Sequence, residues 1–227
     1  MLQFRPADVH GQLGFLSGSV LCTGLLLCSA STPLALSGDS ADRTVAVAAA
    51  PTAAPETRAT IANGNEGGRY ELTPERRALL NTIRYAEGTW KDGKDKGYRI
   101  MYGGGQFKDL SRHPERVVVK RYSSAAAGAY QFLPKTWKGV ARELKLKSFE
   151  PRHQDQAALH LAKRRGALGD IDQQGLTKDA MAKLAPEWAS FPNRFGHSAY
   201  GQPVKSHQDL ARFYSTNLNQ LRRQIEA

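Results

Sequence analysis

The sequence predicts an α+β domain, mainly helical, in which a small β-hairpin lobe faces the helices across a cleft. Three features predict it. Apolar residues recur at helical spacing after Thr73, Pro134, Pro151 and Ser206. Between the first two of these helices, short aromatic and β-branched runs are broken by Gly and Pro. Everything before Thr73 reads as leader and linker, which leaves residues 73–227 as one folded domain.

Residues 1–37 carry Arg5 and His10, an apolar run from Leu13 to Cys28, and small residues up to Ala35-Leu36-Ser37. This is the pattern of a secretory signal peptide cleaved before Gly38. Because Gly, Ser and Thr dilute the apolar run, a signal anchor that stays uncleaved fits as well. Either reading exports the domain to the periplasm or the exterior, tethered to the membrane in the second case. Both cysteines, Cys22 and Cys28, lie in this leader, so the remainder is expected to hold no disulfide and no thiolate metal site. Residues 38–72 are rich in Ala, Thr and Pro and are expected to be a flexible linker.

Order is expected to begin at Thr73-Pro74-Glu75, an N-cap followed by proline at the first helical position and an acid in the first turn. The first helix places Leu79, Leu80, Ile83 and Ala86 on one face and runs to about Glu87, where Gly88 supplies a left-handed stop. From Trp90 to Val119 the pattern is that of an irregular hairpin lobe, with Tyr98–Tyr102, three glycines and Val117–Val119. A second helix follows Pro134, and a third opens near Pro151 and ends by Gly166. A fourth starts at Thr177; Pro186 interrupts it, so that Glu187-Trp188-Ala189 is expected to begin a new helical turn. The last helix opens on a capping box, Ser206 with Asp209.

The charge of the chain is +11, but residues 70–227 alone hold 28 basic and 16 acidic residues, a net of +12. Such a field attracts anionic polymers. With an export leader ahead of it, those are anionic envelope polymers. Nucleic acid is excluded, since the charge comes without interleaved aromatics or a recognition motif. No metal is expected, because the histidines are scattered and no His-Glu-x-x-His occurs. Gly103-Gly104-Gly105 lacks the Lys-Ser/Thr of a phosphate loop, and no cofactor is expected.

Glu87 breaks a local rule, because the carbonyl end of a helix disfavours negative charge. The dipole and partial burial both raise a carboxyl pKa, giving a proton donor near neutral pH of the kind that protonates a glycosidic oxygen. The same position suits a solvated Glu at a frayed helix end, and position alone does not separate the two.

Collinear islands run through the domain: Ala86-Glu87-Gly88-Thr89, Gly97-Tyr98, Tyr102-Gly103-Gly104, Phe107-Lys108-Asp109, Gly128-Ala129-Tyr130-Gln131, Gln154-Asp155, Arg165-Gly166-Ala167-Leu168, Trp188-Ala189-Ser190-Phe191-Pro192 and Tyr200-Gly201-Gln202. By these the chain from Pro74 to about Leu218 resembles the phage lambda endolysin family of the lysozyme superfamily. The resemblance implies a lysozyme-like fold acting, as a monomer, on peptidoglycan glycan strands. It also implies cleavage of the β-1,4 bond between N-acetylmuramic acid and N-acetylglucosamine by lytic transglycosylase chemistry, with Glu87 as the catalytic acid and base. A hydrolytic lysozyme (muramidase) and a non-catalytic cell-wall-binding protein are the alternatives. The family member that this chain aligns with lacks a leader, so phage lysis and bacterial wall remodelling both remain open as its occasion.

The resemblance also implies that Tyr130, Gln131, Tyr200 and Gln202 line the cleft, with Ser124 in the small-residue approach to it. Aromatic faces and amides suit sugars, which offer apolar CH faces and hydroxyl edges. Asp109 is the candidate for a second carboxylate, which a hydrolase would need; as a turn cap before Ser111 it has an ordinary explanation. Trp188, between two prolines, is expected in the core.

Overall fold

The computed structural model describes residues 68–227. The expected signal peptide or anchor, and the expected linker up to residue 67, lie outside the described residues. Packing of the domain reaches back to Tyr70, within the expected linker range. Tyr70 is 7% exposed, and the Gln156 side chain clamps its backbone, accepting from Tyr70 N at 2.8 Å and donating to Tyr70 O at 2.7 Å. Those bonds come from a residue 86 positions away, which local composition cannot register.

The first helix, α1, spans Pro74–Ala86. Thr73 Oγ1 accepts from Arg76 N at 3.3 Å, and Pro74 occupies the first turn, where its missing N–H costs nothing. Of the expected face, Leu79, Leu80 and Ile83 are at most 2% exposed and Ala78 joins them, while Ala86 is only partly buried against the core. Against α1 lies the C-terminal helix, joined to it by stacked rings of Tyr85 and Phe213 (4.3 Å, 6°) and by a 2.7 Å hydrogen bond that Asn81 Nδ2 donates to Asn217 Oδ1. This last helix, α6, spans His207–Glu226. Its cap is half of the expected box: Ser206 Oγ accepts from Asp209 N, while the Asp209 carboxylate accepts from the Ser206 hydroxyl.

Between them run α2 (Pro134–Leu144), α3 (Pro151–Arg164), α4 (Leu168–Gln174) and α5 (Lys178–Leu184). Helix α3 is the central one, with Gln154 to Leu159, Leu161 and Ala162 buried. Sequence periodicity overlooks α4. It has seven residues and opens on Ala167, which has no side-chain oxygen to cap it. The new helical turn expected at Glu187-Trp188-Ala189 does not form. There the backbone makes a turn instead, with Glu187 N and Trp188 N both bonded to Leu184 O.

The β lobe is smaller than expected and pairs differently. Among the described residues only β1 (Val118–Val119) and β2 (Ser123–Ser124) form a ladder, antiparallel, with Val118 opposite Ser124. The Tyr98–Tyr102 run is not a strand: Asp95–Arg99 and Tyr102–Gly104 are 3-10 turns linked by single bridges, Ile100 to Gln106 and Met101 to Ala127. An aromatic cluster of Phe132, Trp137, Phe149 and His113 packs the lobe's base against α2 and α3. Among the described residues no helix is long and apolar enough to cross a membrane.

Candidate active site

Helix α1 stops because Gly88 turns left-handed at φ +71° directly after its C-cap Glu87 (φ −77°, ψ 0°). Glu87 N still donates to Ile83 O at 2.9 Å, so the helix carries the side chain at its very end. There Glu87 Oε1 accepts a 2.5 Å hydrogen bond from the Ser190 hydroxyl. Part of the Glu87 surface stays open, yet surrounding atoms crowd it. Burial pushes its carboxyl up to about 7, against a smaller downward pull from Ser190. An acid poised there is half protonated at neutral pH, which suits one group to giving and then taking a proton.

Ser190 had no assigned role in the sequence, although it lies inside the Trp188–Pro192 island. A serine in a turn carries no local signal of a contact 103 positions away. It is positioned by the turn after α5: Phe191 N bonds to Trp188 O, Lys205 N bonds to Ser190 O, and Phe191 is fully buried. Trp188 is a core residue, as expected, at 3% exposure, and its indole N–H donates to Tyr130 O at 3.1 Å.

The turn from Gly128 to Gln131 flanks this end of α1. Gly128 has φ +82°, and a Cβ there would meet Phe149 Cζ at 2.8 Å and the Gln154 side-chain oxygen closer still. Gln131 holds an unusual left-handed φ of +48°. Its Nε2 donates to Ile100 O (3.1 Å) and Gly128 O (2.9 Å). Both amide protons are then used, which leaves its Oε1 with acceptor capacity.

Tyr130 does not line a cleft. It is 1% exposed, and its hydroxyl donates to Asp155 Oδ1 at 2.5 Å beside a 2.8 Å bond from Tyr98. A buried carboxylate needs such donors, and Tyr130 supplies one, so its ring belongs to the core. Ser124 is half-buried on β2, and its Oγ accepts from Ala126 N at 3.1 Å. Tyr200 is 53% exposed, with its hydroxyl donating to Pro186 O at 2.6 Å, which ties it to the segment bearing Ser190. Gln202 is exposed in the same loop.

Asp109 is exposed, and its Oδ1 accepts from Ser111 N at 2.8 Å. Hydrogen bonds to Ser111 hold its carboxyl below the usual range, so it is an ionised turn cap. Among the described residues no three His, Asp or Glu side chains gather in a way that could hold a metal ion.

The family model for Endolysin matches residues 77–221, well over half of the chain. The chain belongs to the endolysin family. This endolysin-family chain is 37% identical to the endolysin of Escherichia phage lambda over 138 residues, covering 58% of this chain and 84% of that one. It is 33% identical to the endolysin of Escherichia phage P2, covering 61% and 90% respectively. A solved structure of bacteriophage lambda lysozyme complexed with a chitohexasaccharide aligns with a TM-score of 0.59 at 34% identity, over 65% of this chain and 96% of that one. A second structure of lysozyme from bacteriophage lambda aligns with a TM-score of 0.56 at 32% identity, over 67% and 96%. The endolysin-family domain therefore has a lysozyme-like α+β fold.

Proposed function

We propose that this endolysin-family protein, a lysozyme-like peptidoglycan-degrading enzyme, is a lytic transglycosylase with Glu87 as its single acid and base. The supporting observation is the Glu87 carboxyl, pushed up to about 7 by burial at the end of α1. Protonated Glu87 donates to the glycosidic oxygen between N-acetylmuramic acid and N-acetylglucosamine. The bond from C1 to that oxygen breaks with oxocarbenium character, and the N-acetylglucosamine side leaves as an alcohol. The Glu87 carboxylate then takes the proton of the muramic acid's own 6-hydroxyl as its oxygen closes on C1. The product is a 1,6-anhydromuramic end, and Glu87 is protonated again for the next cycle.

Asp109 is engaged as a turn cap by Ser111 N, an ordinary structural role that leaves Glu87 as the single catalytic carboxyl of this reading. Gln131 Oε1 and the exposed Tyr200 and Gln202 supply glycan contacts. The chitohexasaccharide in the lambda lysozyme structure favours a saccharide ligand for this site. Export is part of the same proposal, supported by the leader composition of residues 1–37. The basic domain would then be drawn to the anionic envelope.

Mass spectrometry of digested peptidoglycan tests it. Products ending in 1,6-anhydromuramic acid are expected; products heavier by one water would assign a hydrolytic muramidase. In parallel, Glu87→Gln should abolish clearing of purified walls while leaving wall binding intact, and unchanged clearing would remove Glu87 from the mechanism.

A further inference from the structure

Two residues beyond Glu87, Thr89 is 1% exposed, and nothing in the chemistry above uses it. Its Oγ1 lies 2.5 Å from the carbonyl oxygen of Ala129 and 3.2 Å from that of Arg84. A hydroxyl has one proton to give, so the shorter contact takes it. The N–H of Ala129 is held too, donating to Gln154 Oε1 at 2.8 Å. The next carbonyl, that of Tyr130, receives the Trp188 indole N–H at 3.1 Å. Two residues after Trp188, Ser190 donates to Glu87.

These bonds close a circuit. It leaves Glu87 along the backbone to Thr89, crosses to Ala129 and Tyr130, crosses again to Trp188, and follows the backbone to Ser190. From there it returns to the Glu87 carboxylate. Gln131, with its one free acceptor, is the residue next to Tyr130. Backbone slack is small at the first crossing. Thr89 N bonds to Arg84 O at 2.9 Å, and a Cβ at Gly97 would collide with the Thr89 carbonyl.

The geometry points to Thr89 as a positioning residue: its hydroxyl pins the end of α1 to the Gly128–Gln131 turn and so fixes the Glu87 carboxyl relative to the Gln131 amide. This rests on the catalytic reading of Glu87 given above. Thr89 is separated from any glycan by its burial, so it acts through these two groups. Displacements of about 1 Å between reacting groups cost up to roughly a hundredfold in rate, far more than one neutral hydrogen bond contributes to stability. No charged side chain figures among the causes of the Glu87 shift, which are burial and the Ser190 hydroxyl alone. A moved carboxyl therefore registers as a moved pH limb.

The test uses the full chain and the variants Thr89→Val, Thr89→Ser and Glu87→Gln. Clearing kinetics on purified peptidoglycan are measured across pH, with thermal unfolding alongside. Thr89→Val keeps the shape and loses the hydroxyl; kcat is expected to fall about tenfold or more while KM changes less than about twofold. The basic limb of the profile should move by about half a pH unit or more. Thr89→Ser, which keeps the donor, should stay within about twofold of the parent in kcat. Should Thr89→Val not fold, Thr89→Ala removes the same bond without burying an extra methyl. A lowered Tm with unaltered kcat and pH limb would overturn the inference, as would a serine variant no better than valine. If Glu87→Gln still clears walls, the catalytic reading itself fails. If Glu87→Gln is inactive while Thr89→Val matches the parent, only the inference about Thr89 fails.

Discussion

The Ser190 hydroxyl donates to Glu87 Oε1 across 2.5 Å, joining residues 103 positions apart in the chain. This bond stabilises the ionised form of a carboxyl that burial drives toward neutrality. Removing it in Ser190→Ala should raise the Glu87 pKa further above 7. A charge-assisted hydrogen bond of about 1.5–3 kcal/mol corresponds to roughly one pH unit or more. The basic limb of the clearing activity is expected to shift upward by about that amount, read from kcat/KM against pH.

Glu87 should also make stability depend on pH. Its ordinary value is 4.5 and its folded value about 7. Below pH 4.5 both folded and unfolded chains hold the proton, and no cost arises. Between 4.5 and 7 the unfolded chain ionises first, so stability falls as pH rises, and the cost is complete above 7. It amounts to the order of 3 kcal/mol before screening by solvent on the open side of the side chain. Glu87→Gln should therefore be more stable than the parent at pH 8 and nearly equal to it at pH 4, measured by denaturant melts.

Asp109→Asn should leave wall clearing within about twofold of the parent, because asparagine keeps the turn bond to Ser111 N. Stability should change by no more than about 0.5 kcal/mol, as for an exposed position. A hundredfold loss of clearing with normal folding would instead make Asp109 a second catalytic carboxylate.

Gly128→Ala should be among the most damaging single changes outside the catalytic group. It combines a left-handed φ of +82° with a Cβ driven against Phe149 and Gln154. A loss of at least about 2 kcal/mol is expected in chemical denaturation.

Tyr130→Phe removes one of the two hydroxyls that donate to the buried Asp155. The loss should be about 1–3 kcal/mol in unfolding free energy. Because the ring itself is core, the KM for peptidoglycan should stay close to the parent's. A raised KM at unchanged stability would return Tyr130 to the cleft.

The sequence by itself determined where five of the six described helices start, though not α4. Thr73-Pro74, Pro134, Pro151, Thr177 and Ser206 start helices in the structure as they do on paper, because caps, prolines and periodic apolar faces act over one or two turns. It also singled out Glu87, since a lone acid at a helix C-terminus is a local anomaly for which the family resemblance suggests the role proposed here. What the tertiary structure alone decided is which side chains meet. Strand β1 pairs with two serines that have no strand signal, and Gln156 captures Tyr70 from 86 residues away. Tyr130 turns inward because a buried Asp155 on α3 needs its proton. Ser190 reaches Glu87 because the turn after α5 folds back over the end of α1. These contacts depend on desolvation and on groups brought together through space, quantities that no spacing along the chain encodes.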